Sequence, residues 1–301
     1  MRLLVTGMGG FLGYAVGCAL GDDAGAVDAT ALEVVAAFHQ RRPATFSGDC
    51  LRVDLADEKA LGRLLDAVRP QAVLHMAAIS QPNLCETDVV GTSAVNVDAT
   101  ATIARWCARH RCPLVFTSSD LVFNGTAAPY GETDLPTPLS AYARQKVAAE
   151  AAILAHHPRA VICRMPLMFG YGGPGARGFA HEMVAAIAGR RLVRLFTDEF
   201  RTPLSTTCAA AALLGAMEWP GGVYHLGGPE RVSRFEVGRR IAARLAVGEG
   251  HLQPLTQDAL PMSAPRPADV SLDNRKARAA GFAPMGLDDA IGGMLADFGL
   301  I

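Results

Sequence analysis

The chain of 301 residues lacks a long uninterrupted apolar run, although half of its residues are apolar. A helix needs about 20 predominantly apolar residues to cross a bilayer, so we expect no membrane-spanning segment. Glycines at positions 7, 9, 10 and 13 interrupt the apolar N-terminus. We therefore expect a strand and a turn there rather than a signal peptide.

An excess of charge of either sign is also missing. The 28 Lys and Arg residues nearly balance the 29 Asp and Glu residues, which gives a formal net charge of −1. Electrostatic attraction to nucleic acid or to an anionic membrane needs a basic surplus. We therefore expect neither nucleic acid nor membrane as a partner.

The seven cysteines include no Cys-x-x-Cys pair, and no Cys/His cluster has zinc spacing. We predict no metal site, and we interpret the scattered cysteines as reduced thiols of a cytoplasmic protein. Lysine is scarce as well, since only Lys59, Lys146 and Lys276 are present. Each of the three therefore needs its own explanation.

Short apolar runs alternate with helix-like segments in the first half of the chain. The predicted strands are 3–6, 33–38, 51–53, 72–76, 114–118 and 160–164, with a late strand at 223–226; the predicted helices are 10–20, 58–68, 95–110 and 141–156. Strands without polar alternation, separated by helices, indicate an α/β fold of the Rossmann type, with a doubly wound parallel sheet.

After position 164 the regular alternation of predicted strands and helices ends. A glycine-rich loop at 170–175 and many prolines separate short elements there. We predict an NADP-binding Rossmann domain from residues 1–165 and 205–250. A smaller discontinuous C-terminal lobe, from 166–204 and 251–301, would bind the substrate.

A glycine-rich turn follows the first predicted strand. Gly7, Gly9, Gly10 and Gly13 lie between that strand and a helix, where glycine lets the backbone approach a pyrophosphate and the helix N-terminus attracts it. The spacing is Gly-x-x-Gly-x-x-Gly rather than the fingerprint Gly-x-Gly-x-x-Gly. A plain tight turn is the alternative.

The end of the second predicted strand carries no acidic residue. NAD enzymes usually place an acid there to bind the ribose 2′-hydroxyl, whereas this chain has His39, Arg41 and Arg42. Guanidinium groups pair with a 2′-phosphate, so we predict NADP(H) as the cofactor. Solvated surface arginines are the alternative.

Tyr142 and Lys146 lie four residues apart, on one face of a predicted helix. A neighbouring ammonium would lower the pKa of the phenol and fit it for proton exchange with a carbonyl oxygen. Ser119 ends an apolar strand and could orient that oxygen. We predict Ser119, Tyr142 and Lys146 as catalytic residues; a surface Tyr–Lys pair and a turn serine are the alternatives.

Together these residues resemble the extended short-chain dehydrogenase/reductase superfamily over essentially the whole chain. The matching segments, in the family's order, are Thr6-Gly7-x-x-Gly10-x-x-Gly13, Val53-Asp54-Leu55, His75-Met76-Ala77-Ala78, Asn96-Val97, Ser118-Ser119-Asp120 and Tyr142-x-x-x-Lys146. Within it, Ser119–Gly125, Pro129-Tyr130-x-Glu132 and Arg266–Asp273 resemble the dTDP-4-dehydrorhamnose reductase branch, which also holds the regulatory subunit of methionine adenosyltransferase.

The resemblance implies further roles. Gly10, Phe11 and Leu12 would lie against the pyrophosphate, Asp54 and Leu55 near the adenine, and Ala77 and Ala78 along the cofactor cleft, while Lys146 would also hold the nicotinamide ribose. Asp120 would contact the substrate, and Arg201 and Arg266 would bind the diphosphate of a nucleotide sugar, with a structural salt bridge as the alternative. A homodimer through the helices at 95–110 and 141–156 is expected by analogy.

We therefore expect an NADPH-dependent reductase of a keto group, with a nucleotide-linked sugar as its small-molecule substrate. An epimerase or dehydratase remains open, as does a cofactor-sensing regulatory subunit. Leu121 and Leu167 stand where the rhamnose reductases have tyrosine and tryptophan. Both positions would face the sugar, so the substrate itself stays undetermined.

Overall fold

The protein is described from a computed structural model, which covers residues 1–21, 32–44, 46–173, 179–260 and 263–301. The last two residues of the predicted loop at 170–175 lie outside these ranges. No described helix is long and apolar enough to cross a membrane. The described residues also contain no group of three or more His, Cys, Asp or Glu side chains that could hold a metal ion.

A parallel sheet of seven strands forms the centre of the molecule. Its strands are β1 (Arg2–Thr6), β2 (Glu33–Phe38), β3 (Asp49–Arg52), β4 (Ala72–His75), β5 (Leu114–Ser119), β6 (Val161–Met165) and β11 (Gly222–His225). The order across the sheet is β11-β6-β5-β4-β1-β2-β3, and every neighbouring pair is parallel. The predicted doubly wound α/β fold is confirmed.

Among the described residues, six short strands of two to four residues lie outside this sheet and form three pairs. They are β7 (Met168–Phe169), β8 (Val193–Phe196), β9 (Phe200–Arg201), β10 (Leu204–Ser205), β12 (Val232–Ser233) and β13 (Leu252–Leu255). β10 pairs with β7, β12 with β9 and β13 with β8.

Helices cover both faces of the central sheet. They are α1 (Phe11–Ala19), α2 (Glu58–Val68), α3 (Pro82–Thr87), α4 (Val89–Ser93), α5 (Ala99–His110), α6 (Ala141–His156), α7 (Phe179–Ala188), α8 (Thr206–Gly215), α9 (Arg234–Arg244), α10 (Arg275–Ala279) and α11 (Leu287–Asp297). A single π-helical turn, Ala94–Asp98, joins α4 to α5. The predicted helix at 95–110 is therefore that turn followed by α5.

Three apolar clusters show how the layers pack. One joins the sheet to α1 and α8, the second joins its other face to α2, α5 and α6, and the third joins α7, α9, α11, β8 and β13. Burial of apolar surface in these layers is the main force that holds them together.

The third cluster bears on the predicted domain boundaries. It includes Val237 and Ile241 of α9, which fall in the segment 205–250 assigned to the Rossmann domain. Conversely, Ala277 and Phe282 pack in the first cluster, with the Rossmann sheet. The two-domain division stays a prediction, and this packing favours moving α9 into the second lobe and α10 out of it.

Candidate active site

The strand order of the central sheet reverses between β1 and β4, and ligands of doubly wound sheets bind at such a point. β1 runs into Gly7, whose φ is +78°; a Cβ atom there would lie 2.7 Å from the backbone N of Ala77, just beyond β4. A side chain at position 13 would likewise collide with the carbonyl of Gly7. These glycines let the two chain segments approach closely.

The N-terminus of α1 is open to an anion. Its N-cap residue, Gly10, has no side chain to accept a hydrogen bond from the first turn, and that turn holds no acidic residue. The first backbone N–H groups of a helix have no partner within it, and they carry the positive end of the helix dipole. The turn therefore suits a phosphate group.

Basic side chains lie beside this turn, at the end of β2. His39 and Arg41 line the same cavity as the glycine turn, whereas Arg42 does not. Nε2 of His39 lies 3.8 Å from Oδ2 of Asp54, and the carbonyl of His39 accepts a hydrogen bond of 3.1 Å from Nε of Arg52. No hydrogen bond or ion pair joins the Arg41 side chain to another residue within the described ranges.

Ser119, Tyr142 and Lys146 meet where β5 ends and α6 begins. Ser140 caps α6, because its Oγ accepts a hydrogen bond from the backbone N of Ala143 at 3.2 Å. Tyr142 therefore lies in the first turn, and the Ser119 side chain is near enough to its phenol to lower the pKa of that group. The Ser119 Oγ atom also accepts from the backbone N of Leu121 at 3.2 Å.

The pKa of Tyr142 differs from our expectation, which was that Lys146 would lower it. Burial, followed by the negative charge of Asp120, raises the pKa of Tyr142 above its ordinary value of 10, while Ser119 lowers it. Lys146 is not among the groups that shift it; the Lys146 Nζ donates to the carbonyl of Thr117 at 2.8 Å and lies 5.9 Å from the centre of the Tyr142 ring. The phenol is therefore held in its protonated form.

Lys146 is itself completely enclosed. Burial lowers its pKa to about 8, against the raising effect of the Glu150 carboxylate. Its Nζ also lies 4.6 Å from the centre of the Phe116 ring, which is a favourable position for a cation. Lys146 therefore loses its charge more readily than an exposed lysine does.

Asp120 follows Ser119 at the same edge of the sheet. Its Oδ1 accepts a hydrogen bond of 3.2 Å from Ser119 Oγ, and its Oδ2 has no hydrogen-bond partner among the described residues. Burial raises the pKa of Asp120 to about 6, against the opposing charge of Arg201. This carboxyl therefore changes its protonation near neutral pH.

Arg201, Arg234 and Arg266 form a basic group at the far end of the cleft. Glu199 is fully buried, and its Oε1 lies 2.6 Å from Nε of Arg234 and 3.4 Å from Nη2 of Arg201. Its Oε2 lies 3.7 Å from Nη1 of Arg266. The three guanidinium groups lower the pKa of Glu199 against the opposite effect of burial, so the carboxylate stays charged.

All these groups line one cleft of about 1,020 Å³. The predicted residues that line it are Gly7, Gly9, Gly10, Phe11, Leu12, Gly13, His39, Arg41, Asp54, Leu55, Ala77, Ala78, Ser119, Asp120, Tyr142, Lys146, Arg201 and Arg266. Arg42 is the predicted site residue that the cleft leaves out. An elongated ligand could reach from the glycine turn to the basic group.

Sequence reasoning missed Glu199 and Arg234, which also line the cleft. The only local signal was Ser233-x-x-Glu236, a capping box that marks the start of α9: Ser233 Oγ accepts from the backbone N of Glu236 at 3.1 Å. That signal predicts a helix. It does not predict the ion pair between Arg234 and Glu199, which are 35 positions apart.

Comparison with known proteins connects this site to a family. Residues 1–299 match the model described as the RmlD substrate binding domain. Methionine adenosyltransferase 2 subunit beta of Pongo abelii is 28% identical over 300 residues, which cover 93% of this chain and 82% of that protein. The probable low-salt glycan biosynthesis reductase of Haloferax volcanii is 28% identical over 277 residues, which cover 91% of this chain and 90% of that protein.

Solved structures share the whole fold. A dTDP-4-dehydrorhamnose reductase of Clostridium acetobutylicum superposes with a TM-score of 0.84 at 20% identity, covering 99% of this chain and 100% of that chain. The Bacillus anthracis dTDP-4-dehydrorhamnose reductase in complex with NADP gives a TM-score of 0.81 at 18% identity, covering 98% and 99% of the two chains. At these identities the likeness shows the fold.

Proposed function

Because this chain belongs to the RmlD substrate binding domain family, we propose that it is an NADPH-dependent oxidoreductase that reduces a keto group on a nucleotide-linked sugar. The observation that carries the proposal is the meeting of Ser119, Tyr142 and Lys146 in a cleft that begins at the glycine turn. Solved structures with this fold include a dTDP-4-dehydrorhamnose reductase in complex with NADP.

The residues around the turn fit the cofactor. The uncapped N-terminus of α1 suits the pyrophosphate, and a Cβ at Gly7 would fill the space between the turn and β4. Arg41 and His39 would hold the 2′-phosphate, and Asp54 and Leu55 would lie along the adenosine. When bound, NADPH supplies the hydride for the reduction.

Tyr142 is suited to donate the proton. Its raised pKa keeps the phenol protonated at neutral pH, which is the form that a carbonyl oxygen needs as it gains negative charge. Ser119 lies near the phenol, whose pKa it lowers, and would position the same oxygen. Lys146 would hold the nicotinamide ribose, and its positive charge would stabilise the oxyanion.

The sugar pocket departs from that of the rhamnose reductases. Leu121 and Leu167, which stand in place of a tyrosine and a tryptophan, both line the cleft. Aliphatic side chains cannot hydrogen-bond a sugar hydroxyl. We therefore propose a substrate with a less polar face at this point than dTDP-4-dehydrorhamnose has.

The cellular compartment and the oligomeric state complete the proposal. All seven cysteines are free thiols, which supports a reducing compartment such as the cytoplasm.

A homodimer through α5 and α6 would cover exposed apolar surface on α6, such as Leu154, 42% of which is accessible. Light scattering at micromolar concentration would show a dimer, and a monomer would end this part of the proposal.

A cofactor-sensing regulatory subunit is the second candidate, favoured by the likeness to methionine adenosyltransferase 2 subunit beta. Such a protein would bind NADPH without consuming it. Its effect would appear in the activity of a partner enzyme. An epimerase or dehydratase would instead convert the sugar with no net consumption of NADPH.

The test is to incubate the protein with NADPH and a panel of 4-keto nucleotide sugars. We expect loss of nicotinamide absorbance together with formation of one alcohol product by mass spectrometry. Tight NADPH binding without consumption on the whole panel would favour the regulatory subunit. Conversion of a 4-hydroxy nucleotide sugar in a parallel incubation with NADP⁺, with no net formation of NADPH, would favour the epimerase or dehydratase.

A further inference from the structure

Two buried carboxylate oxygens have no hydrogen-bond partner among the described residues, Oδ2 of Asp120 and Oε2 of Glu199. Both residues line the cleft. Buried polar atoms are almost always hydrogen-bonded, and a carboxylate oxygen only accepts, so the missing partner is a donor. Glu199 is the clearer case, because three guanidinium groups keep it charged, whereas Asp120 changes its protonation near neutral pH.

The arginines around Glu199 do not supply a donor to its Oε2 atom. Arg234 donates through Nε to the other oxygen, Oε1, at 2.6 Å. Nη2 of Arg201 lies 3.4 Å from that same oxygen and donates to the carbonyl of Pro267 at 3.1 Å. Nη1 of Arg266 lies 3.7 Å from Oε2, which is beyond the usual length of a hydrogen bond. Among the described residues, Oε2 therefore keeps its acceptor position for a donor in the cleft.

The charges around Glu199 decide which kind of donor fits. An ammonium group would have to enter beside the guanidinium groups of Arg201, Arg234 and Arg266, which would repel it. An ionised phosphate oxygen has no hydrogen to donate. A neutral hydroxyl donates one hydrogen bond and can accept two. It can therefore donate to Oε2 and accept from a guanidinium at the same time.

Arg234 provides the donor for such a hydroxyl. Its guanidinium is fixed by the hydrogen bond to Glu199 and by the Phe179 ring, whose centre lies 4.2 Å away. Within the described ranges, no hydrogen bond joins its two Nη groups to another residue. An acceptor atom and two donor groups therefore lie side by side in the cleft, and a hydroxyl matches both.

We propose that Glu199 is a specificity-determining residue whose Oε2 accepts a hydrogen bond from a hydroxyl of the ligand, while Arg234 donates to the same hydroxyl. This inference rests on the proposed function and deepens it, because it names a group that the nucleotide-linked sugar must carry. The hydroxyl belongs to the ribose of the nucleotide or to the sugar ring, which offer the same chemistry. Such a site rejects an analogue without the hydroxyl, because the buried acceptor is then left unpaired.

The experiment measures the binding of UDP-glucose and of its single-deoxy analogues, by calorimetry, to the protein saturated with NADPH. In one set of analogues the ribose lacks a hydroxyl, and in the other set the glucose lacks one. We expect one analogue to bind at least about 10-fold more weakly than UDP-glucose, as the loss of a hydrogen bond to a charged group implies. The set to which that analogue belongs identifies the source of the hydroxyl.

Glu199→Gln should remove this discrimination. The amide oxygen would take the position of Oε1, which accepts from Arg234, so the amide NH₂ would stand at Oε2, where it cannot accept. We expect the variant to bind UDP-glucose and the sensitive analogue within about 3-fold of each other. The matched control is Asp198→Asn, which should keep the wild-type ratio. The Asp198 carboxylate accepts from the backbone N of Gln257 at 3.1 and 2.9 Å, and Asp198 does not line the cleft.

Equal binding of all the analogues to the wild type would show that Oε2 takes its donor from solvent, and it would overturn the inference. No binding of UDP-glucose, the wild-type ratio in Glu199→Gln, or an equal loss of discrimination in Asp198→Asn would overturn it as well. If Glu199→Gln does not fold, as thermal unfolding would show, Glu199→Asp keeps the charge, withdraws the carboxylate by one methylene and should lower the ratio in the same way.

Binding needs no turnover, so this result is independent of the reductase assay. A wild type that discriminates the deoxy analogue through Glu199 yet reduces no keto sugar would keep the inference and reject the proposed reaction. A wild type that reduces a keto sugar but binds every analogue equally would keep the reaction and reject the inference.

Discussion

Glu150 and Glu199 are buried carboxylates that each accept a hydrogen bond from an arginine, and they differ in how completely they are satisfied. Glu150 of α6 accepts hydrogen bonds from Arg164 at 3.0 and 2.7 Å and from the Ser118 hydroxyl. Nη1 of Arg164 in turn lies 3.3 Å from Nε2 of His225. This cluster joins α6 to β5, β6 and β11, and all of its carboxylate oxygens have partners.

Glu199 is as deeply buried, yet its Oε2 accepts no hydrogen bond from the part of the chain that the structure describes, and one of its arginines is partly exposed. The first cluster lies behind Lys146 and fixes the helix that carries Tyr142. The second opens into the cleft. The complete cluster belongs to the scaffold, whereas the incomplete one lines the cleft that we propose as the binding site.

The largest effect on stability is expected at the complete cluster. Glu150→Gln leaves the buried Arg164 without its counter-charge, which should lower the free energy of unfolding by about 3–5 kcal/mol. Urea denaturation measures this loss in the free energy of unfolding. Glu199→Gln serves as the comparison, and we expect a smaller loss, because Arg201 keeps its carbonyl partners and Arg266 reaches water. Equal losses in the two variants would break the distinction between scaffold and site.

Arg41 tests the distinction between scaffold and binding site at the end of the cleft that we propose for the cofactor. Among the described residues it lines the cleft without a hydrogen bond or ion pair from its side chain, so Arg41→Ala should weaken NADPH binding by about 1–3 kcal/mol, the range for charge-assisted hydrogen bonds, and leave NADH binding nearly unchanged. Fluorescence titration of both cofactors gives the preference. Arg42→Ala is the matched control, because Arg42 lies outside the cleft lining. An equal loss of NADPH affinity in both variants would show that Arg41 is not distinguished from Arg42 in binding the 2′-phosphate.

The smallest effect concerns pH. Burial lowers the pKa of Lys146 from 10.5 to about 8, so its ammonium is present below that pH and is lost above it. We expect the reduction rate to fall to about half near pH 8 and to decline further at higher pH, while Tyr142 stays protonated. A profile that is flat through pH 9, about one unit above the pKa, would show that the Lys146 charge is not needed.

Most of the central sheet could be predicted from the sequence, because buried parallel strands are continuous apolar runs between helices. The π-helical turn at Ala94–Asp98 could not be. It places Asn96 so that its side chain accepts from the backbone N of Ile79 at 2.8 Å and donates to Gln145 at 2.7 Å. These partners are distant in sequence, and no local pattern predicts them.

The residues of the candidate site also fall into two groups, those that a local motif predicts and those that only tertiary packing brings to the site. Gly7, Ser119, Tyr142 and Lys146 lie in local motifs that the sequence displays. The raised pKa of Tyr142 depends instead on burial and on Asp120, so the expected direction, a lowering by Lys146, was wrong. Arg234 joins the cleft only through its ion pair with Glu199, which tertiary packing creates.

The most direct test of the central claim compares the wild type with Tyr142→Phe in NADPH-dependent reduction of a keto sugar that the wild type accepts. The phenyl ring keeps the packing and removes only the proton donor. We expect the rate to fall about 10²–10⁴-fold, or about 3–5 kcal/mol in the barrier, with NADPH affinity nearly unchanged. A Tyr142→Phe variant that reduces the substrate at the wild-type rate would contradict the account.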